Sequence, residues 1–295
     1  KKTGREIRMD HISAWRRAVC GNLTSVFRSY NGEEIKLPEF VKEKPFMENI
    51  YNAKFKEVPS DFKLLSGEEI RSINKDPLHS SILSKQESGI RSSCPLPYQI
   101  YADGKLDKNK RIFRLHLETR RECFGDQTAG APFTVYDLKD FSIRNYAVVA
   151  GDALSDEWKI HDRKDDYHFA LYGPNGFYRE FKGDLNDPEI AFQCEYEKRR
   201  LNNKKPTGNI EVHFQNMDSH DHTVEIRDNA YNYEPVFKKV KGNNPAFIPV
   251  ILEKSHHWYD FTAYVEGKAS FSKRYAGHVE TGDASYTDPL MGRII

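Results

Sequence analysis

The pattern of apolar and polar positions changes character about a third of the way along this 295-residue chain. Before residue 31 the apolar positions have helical spacing: Ile12, Trp15 and Val19, then, past Gly21, Leu23, Val26 and Phe27. A short helical segment with a break at the glycine is predicted. Residues 31–95 are rich in Lys, Glu, Ser and Pro, with isolated anchors at Phe40, Phe46, Ile50, Tyr51, Phe55 and Phe62. No period dominates there, so an irregular linker is expected, with one helix over 66–74. From Pro95 onward the period is two. Ile210, Val212 and Phe214 alternate with Glu211, His213 and Gln215, and Tyr259, Phe261, Ala263 and Val265 alternate with Asp260, Thr262, Tyr264 and Glu266. That alternation is the mark of antiparallel strands with one face on a core and the other in water. Segments 102–105, 125–131, 173–176, 202–209 and 241–245 supply the turns.

The strand region repeats itself. Leu115-His116-Leu117 answers to Val212-His213-Phe214, and Thr134-Val135-Tyr136-Asp137 to Glu225-Ile226-Arg227-Asp228. Tyr167 to Tyr172 answers to Tyr259 to Tyr264, and Glu180-Phe181-Lys182-Gly183 to Arg274-Tyr275-Ala276-Gly277. The offset, about 90–100 residues, is the length of one small β-sandwich. The expected fold is all-β: two tandem antiparallel β-sandwich domains, 96–186 and 190–295, preceded by a short helical segment (1–30) and an irregular linker (31–95).

Composition refines this. Tyr (16) and Phe (18) far outnumber Met (4), which suits pleated, half-buried strands. Lys+Arg total 45 against 44 Asp+Glu, so there is no basic excess to bind nucleic acid, and no nucleic-acid partner is expected. Residues 1–30 do carry seven basic residues against two acids, and a solvated or partner-facing segment is the preferred reading. The longest apolar stretches, 146–150 and 246–252, are far short of the ~20 residues that cross a bilayer. The first residues have no apolar region of a leader, and the abrupt start reads as a fragment boundary. The four cysteines, Cys20, Cys94, Cys123 and Cys194, form no C-x-x-C pair, so a zinc knuckle is excluded and free buried thiols are expected.

Few residues invite chemistry. Asp218-Ser219-His220-Asp221-His222 offers the right ligand types for a divalent metal, with His220 and His222 as candidates. It lies between two strands, however, where a polar hairpin loop is needed anyway, and the first repeat has no counterpart. His256-His257 beside Trp258 is weaker, since adjacent strand residues face opposite ways. No G-x-S-x-G elbow and no H-E-x-x-H is present. Gly173-Pro174-Asn175-Gly176 reads as a hairpin turn and not a phosphate cradle. Asp165 and Asp166 read as solvated, the sequon at Asn22-Leu23-Thr24 carries little weight, and the recurrence of Asp137 as Asp228 points to a structural hydrogen-bonding role. No catalytic residue is assigned and no cofactor is expected.

Several stretches resemble the bacterial phosphocholine-preferring phospholipases C, which are acid-phosphatase-like phosphoesterases. The run Trp15-Arg16-Arg17-Ala18-Val19-Cys20-Gly21-Asn22-Leu23-Thr24-Ser25-Val26-Phe27 is similar to the end of their catalytic domain, with Asn22 where that family usually has Asp. Glu87-Ser88-Gly89-Ile90-Arg91 with Leu96-Pro97-Tyr98, and Gly173-Pro174-Asn175-Gly176-Phe177-Tyr178-Arg179-Glu180-Phe181, resemble the first C-terminal domain. Arg227-Asp228-Asn229-Ala230-Tyr231, Trp258-Tyr259-Asp260-Phe261, and Gly277-His278-Val279-Glu280-Thr281-Gly282 through Asp288-Pro289-Leu290-Met291-Gly292 resemble the second.

The resemblance implies the C-terminal region of a longer, secreted or periplasmic enzyme that cleaves phosphatidylcholine. Residues 1–30 would be the remnant of its catalytic phosphoesterase domain, whose metal ligands and nucleophile lie upstream and match nothing here. The expected partners are that upstream domain and phospholipid aggregates, and the expected role is non-catalytic, as scaffold or as presenter of lipid. Tyr231, Tyr233 and Trp258 are candidates for a lipid interface, which suits half-wet aromatic rings. The simpler expectation for them is packing within the sheets. Two rivals remain: a module binding a small ligand, carbohydrate or protein, and hydrolysis of phosphodiesters by the Asp218 to His222 cluster itself.

Overall fold

A computed structural model of the chain describes residues 43–55, 57, 60, 62–83, 89–160, 166–199 and 202–291. The helical segment expected within 1–30 lies outside the described residues. The chain divides into two compact units, one holding 28–88 and the other the strand region 89–291.

In the first of these units, helix α1 (Glu43–Ala53) carries Met47, Ile50 and Tyr51 at i, i+3 and i+4, all of them exposed. The irregular linker expected over 31–95 therefore contains this helix as well. Helix α2 (Gly67–Lys75) begins where expected, because Ser66 and Glu69 form a capping box. The Ser66 hydroxyl accepts from the Glu69 N–H, and the Glu69 carboxylate accepts from the Ser66 N–H.

The strand region contains two copies of one seven-stranded pattern. The first copy comprises β2 (Ile100–Asp107), β3 (Ile112–Thr119), β4 (Ala131–Asp137), β5 (Ile143–Val148), β6 (Ala153–Lys159), β7 (Asp166–Tyr172) and β8 (Tyr178–Asp184). The second comprises β9 (Ile190–Arg199), β10 (Asn202–Asn216), β11 (His222–Asp228), β12 (Val236–Val240), β13 (Pro245–Val250), β14 (Trp258–Val265) and β15 (Ser272–His278). In each copy three strands face four: β2-β3-β6 face β8-β7-β4-β5, and β9-β10-β13 face β15-β14-β11-β12. All pairings are antiparallel, and the four sequence correspondences fall on equivalent strands.

Alternation places the cores. Burial switches residue by residue along β4 and β8. In the first copy Phe113 packs its ring 4.8 Å from both Tyr167 and Phe169 and 5.4 Å from Phe181. In the second, Phe192 meets Phe214 at 5.3 Å, and Phe261 stacks on Tyr275 at 5.4 Å. Each such ring contributes about 1.5–3 kcal/mol by leaving water.

The two copies are not separate beads. Strand β8 pairs with β15, so both four-stranded layers run on as one eight-stranded sheet. Glu180 stands opposite Arg274 in that pairing. These two residues occupy the same position in the repeat, so a local two-fold relates the copies about this pair. The segment leading into the first copy is tied to the far end of the second by the short strands β1 (Ser92–Ser93) and β16 (Ser285–Tyr286). The Thr287 hydroxyl there accepts from the Arg91 N–H at 3.0 Å.

Candidate functional site

The chemistry of the strand region concentrates where the copies meet. Arg179 on β8 and Lys273 on β15 are equivalent residues, and both point inward, at 1% and 3% exposure. Each reaches into the other copy. Arg179 donates to the Ala276 carbonyl at 2.8 Å and to the Tyr259 hydroxyl at 3.1 Å, and its guanidinium lies 3.9 Å from the Phe177 ring centre. Lys273 donates to the Gly104 carbonyl at 2.7 Å. Tyr275, from the second copy, donates to the Asp103 carboxylate of the first at 3.2 Å.

Burial sets the protonation of this seam. It drives the Asp103 carboxyl up to about 7, against the pull of Lys273 and Arg179. It presses Lys273 down to about 8, with Asp103 and Asp187 opposing. The Cys194 thiol, buried beside Arg179, is pushed up to about 12, again by desolvation, and is inert as a nucleophile. Removing one partner of such a set strands a buried charge, which costs several kcal/mol. Arg179 and Lys273 were not singled out from the sequence. The available signal was their phase: each sits two positions before an inward aromatic, Phe181 or Tyr275.

A second cluster lies in the loops at one end of the second copy. One Asp228 carboxylate oxygen accepts from the N–H groups of Tyr231 (2.7 Å), Ala230 (3.2 Å) and Tyr233 (3.3 Å), which fixes the loop after β11. Desolvation nevertheless raises its pKa. Asp137, its counterpart, accepts from the Lys139 N–H at 2.8 Å, so the repeated aspartate does shape the loop after its strand. The Tyr231 hydroxyl donates to Asp288 at 3.2 Å, and the Tyr233 hydroxyl lies 3.1 Å from that of Ser255. Trp258 donates its indole N–H to the Tyr286 carbonyl at 2.9 Å, and its ring lies 4.7 Å from His278. All three aromatic candidates are half-buried, each with its polar atom engaged inside the chain.

Glu280 is the hub beside them, at 3% exposure. It accepts from the Asn175 side-chain amide at 2.8 Å and the Leu96 N–H at 3.1 Å, and lies 3.1 Å from His278 Nδ1. Asn175 belongs to the 173–176 turn, which is a two-residue hairpin turn, with Asn175 and Gly176 both left-handed and the Phe177 N–H bonded to the Pro174 carbonyl.

The Asp218 to His222 stretch is the loop between β10 and β11. His222 Nε2 lies 2.6 Å from Asp218 Oδ2, while the Ser219 hydroxyl lies 3.3 Å from His220 Nδ1. Partial burial opposes its ionisation, but the bonds from His222 and the Glu189 N–H hold the Asp218 carboxyl below the usual range. Among the described residues no group of three or more His, Cys, Asp or Glu side chains could hold a metal ion. Cys94, Cys123 and Cys194 are unbonded, but only Cys194 is buried; Cys94 is exposed and Cys123 half-buried, so burial of all the thiols was too strong an expectation. Cys20 and Asp165 lie outside the described residues, and Asp166 pairs with Lys139. No helix among the described residues is long and apolar enough to cross a membrane.

These features define a tandem β-sandwich module in which two copies share one sheet and one buried polar seam. The bacterial phospholipase C, C-terminal domain, matches the chain twice, over residues 92–184 and 188–278. The chain belongs to that family and carries its domain in two copies. The non-hemolytic phospholipase C of Pseudomonas aeruginosa is 30% identical over 287 residues, covering 96% of this chain and 38% of that protein. The non-hemolytic phospholipase C of Burkholderia pseudomallei is 28% identical, covering 97% of this chain and 37% of that protein. The hemolytic phospholipase C of P. aeruginosa is 28% identical, with 96% and 39% covered. The chain thus spans about two fifths of the length of these relatives.

Proposed function

We propose that this chain is the non-catalytic C-terminal part of a secreted phospholipase C acting on phosphatidylcholine, and that its two sandwiches form one rigid scaffold for a phosphoesterase domain upstream. The observation that carries this reading is the reciprocal seam. Arg179 and Lys273 each satisfy a backbone carbonyl of the other copy, so neither copy can swing away without stranding a buried charge. A platform of that kind suits holding a neighbouring domain in one orientation. The relatives, named phospholipases C and more than twice as long as this chain, support the reading of a phospholipase C with a further domain.

The test has two arms. The chain alone, with a chromogenic phosphocholine ester and divalent metal, is expected to show no turnover, and turnover abolished by His222→Ala would overturn the non-catalytic reading. Joined to the phosphoesterase domain of its own reading frame, the chain is expected to raise that domain's Tm. A Tm unchanged by the chain's presence would overturn the scaffold.

A further inference from the structure

The duplication provides an internal comparison. In the first copy the open edge between β5 and β6, where the two sheet layers part, is closed by a plug. Trp158 is 3% exposed, the Arg144 guanidinium lies 4.0 Å from its ring centre, and its indole N–H donates to the Tyr146 hydroxyl at 3.1 Å. Arg144 and Tyr146 both donate to Asp156, at 2.8 and 2.5 Å. Strand register gives the counterparts in the second copy. Trp158 pairs with Phe113 as Val250 pairs with Ile210, and Arg144 pairs with Val135 as Val236 pairs with Ile226. By the same register Lys238 stands for Tyr146 and Ile248 for Asp156. Every member of the plug is lost. At that place the second copy has a trough of about 330 Å³ between the start of β12 and the end of β13.

The trough has the size and character of a small-molecule site. Val236, Val250, Leu252 and Phe261 form its walls, and Ile251, 53% exposed, stands at its lip. Its polar boundary is acidic. Asp228, Glu234, Glu253 and Asp260 face it with one cation, Lys254. Arg274 neutralises Asp260 through bonds of 2.7 and 2.5 Å, which leaves two carboxylates in excess. Tyr233, also in the lining, offers a ring to a cation.

We propose that this trough binds a cationic amphiphile: a single aliphatic chain against the apolar walls, with its positive head among Glu234, Glu253 and Tyr233. An aliphatic anion meets the same walls but like charge at the mouth, so the site discriminates by charge rather than by tail. The site does not depend on the scaffold reading, and the two can fail separately.

The probes are octyltrimethylammonium, octyl sulfate and 1-octanol, each titrated calorimetrically below micelle formation into the 1–295 chain at low salt. The ammonium is expected to saturate one site, with the sulfate at least tenfold weaker and the alcohol between them. Glu234→Gln with Glu253→Gln is expected to bring the ammonium within about twofold of the alcohol. Val250→Trp rebuilds part of the plug and is expected to abolish uptake. Should that variant not fold, Ile251→Arg, at an exposed position, is expected to weaken the ammonium at least fivefold with an unchanged Tm. Equal affinity for sulfate and ammonium, no saturable uptake of the ammonium, or uptake untouched by Ile251→Arg would each overturn the proposal.

Discussion

The hairpin between β7 and β8 allows the contact between the copies to be weighed, because the second copy contains a control for it. Gly176 has φ +72, and a Cβ built there would lie 2.8 Å from Cζ3 of Trp258 in the other copy. Gly267, in the equivalent hairpin between β14 and β15, has φ +75, and a Cβ there meets nothing within 4 Å. Alanine at either position bears the cost of a left-handed backbone, roughly 1–2 kcal/mol. Only at 176 must a neighbour also move. Carbon atoms rest at about 3.5–4.0 Å, so the Trp258 ring has to withdraw by nearly an ångström. It is not free to do so, being held by the Tyr286 carbonyl at 2.9 Å and packed on His278. Losing that hydrogen bond adds about 1 kcal/mol. Gly176→Ala is therefore expected to cost roughly 2–3 kcal/mol and Gly267→Ala roughly 1–2. Urea unfolding followed by tryptophan emission measures both, with the m-value unchanged. In a Trp258→Leu background the two penalties should become equal, which isolates the contact as a coupling energy. A Gly267→Ala penalty as large as that of Gly176→Ala in the wild-type background would show that the Trp258 contact contributes nothing.

Other expectations follow from the buried polar groups. Asp103, raised by burial to about 7, binds its proton more tightly folded than unfolded, so its contribution to stability is full below the unfolded value of 3.8 and is lost as pH rises through about 7. Asp103→Asn should flatten the pH dependence of the urea midpoint between those limits, and an unaltered profile would show that Asp103 is not the group responsible. Lys273, lowered to about 8, acts in the opposite sense: its contribution is present above 10.5 and lost as pH falls through about 8, so Lys273→Met should remove a rise in stability across that window. Glu280→Ala strands the Leu96 N–H and frees Asn175, and a loss of about 2–3 kcal/mol is expected in thermal or urea unfolding. Among the described thiols, Cys94 should react with a thiol reagent in the native chain, whereas Cys194 should react only on unfolding, as mass-mapped labelling would reveal.

Much of this fold was legible because a period of two is a strong signal when one face is buried. The alternation in Ile210, Val212 and Phe214 places β10, and the repeat places its counterpart in the first copy, β3. The turn at 173–176 was equally readable, since Asn-Gly is the dipeptide that a left-handed pair of residues requires. Helix α1 was not, because Met47, Ile50 and Tyr51 make only one helical stripe in a stretch where the other apolar residues follow no period. The seam was hidden for a different reason. Arg179 and Lys273 look like ordinary strand cations, and only the pairing of β8 with β15 encloses them. That pairing is non-local, and either strand alone would pass for an edge. The aromatic loops stood out as unusual, but a sequence does not show where a hydroxyl or an indole N–H is directed, and Asp288, Ser255 and Tyr286 are the answers for Tyr231, Tyr233 and Trp258.

The shared sheet also explains how two copies of one pattern can differ so much at their outer edges. A lone sandwich must close both of its open sides with its own side chains, as the first copy does with Trp158, Arg144 and Tyr146. Once β8 and β15 are paired, each copy has its inner side closed by the other, and Arg179 and Lys273 each donate to a backbone carbonyl across the seam. The second copy draws part of its stability from that side, where Tyr101 of the first copy belongs to its buried cluster. A plug at its outer edge is then no longer needed to hold the two layers together. Val250 and Val236 can leave a trough there at a cost the fused body tolerates, because the trough opens to solvent and only its walls are apolar. The same change in an isolated copy would remove a larger share of a smaller core.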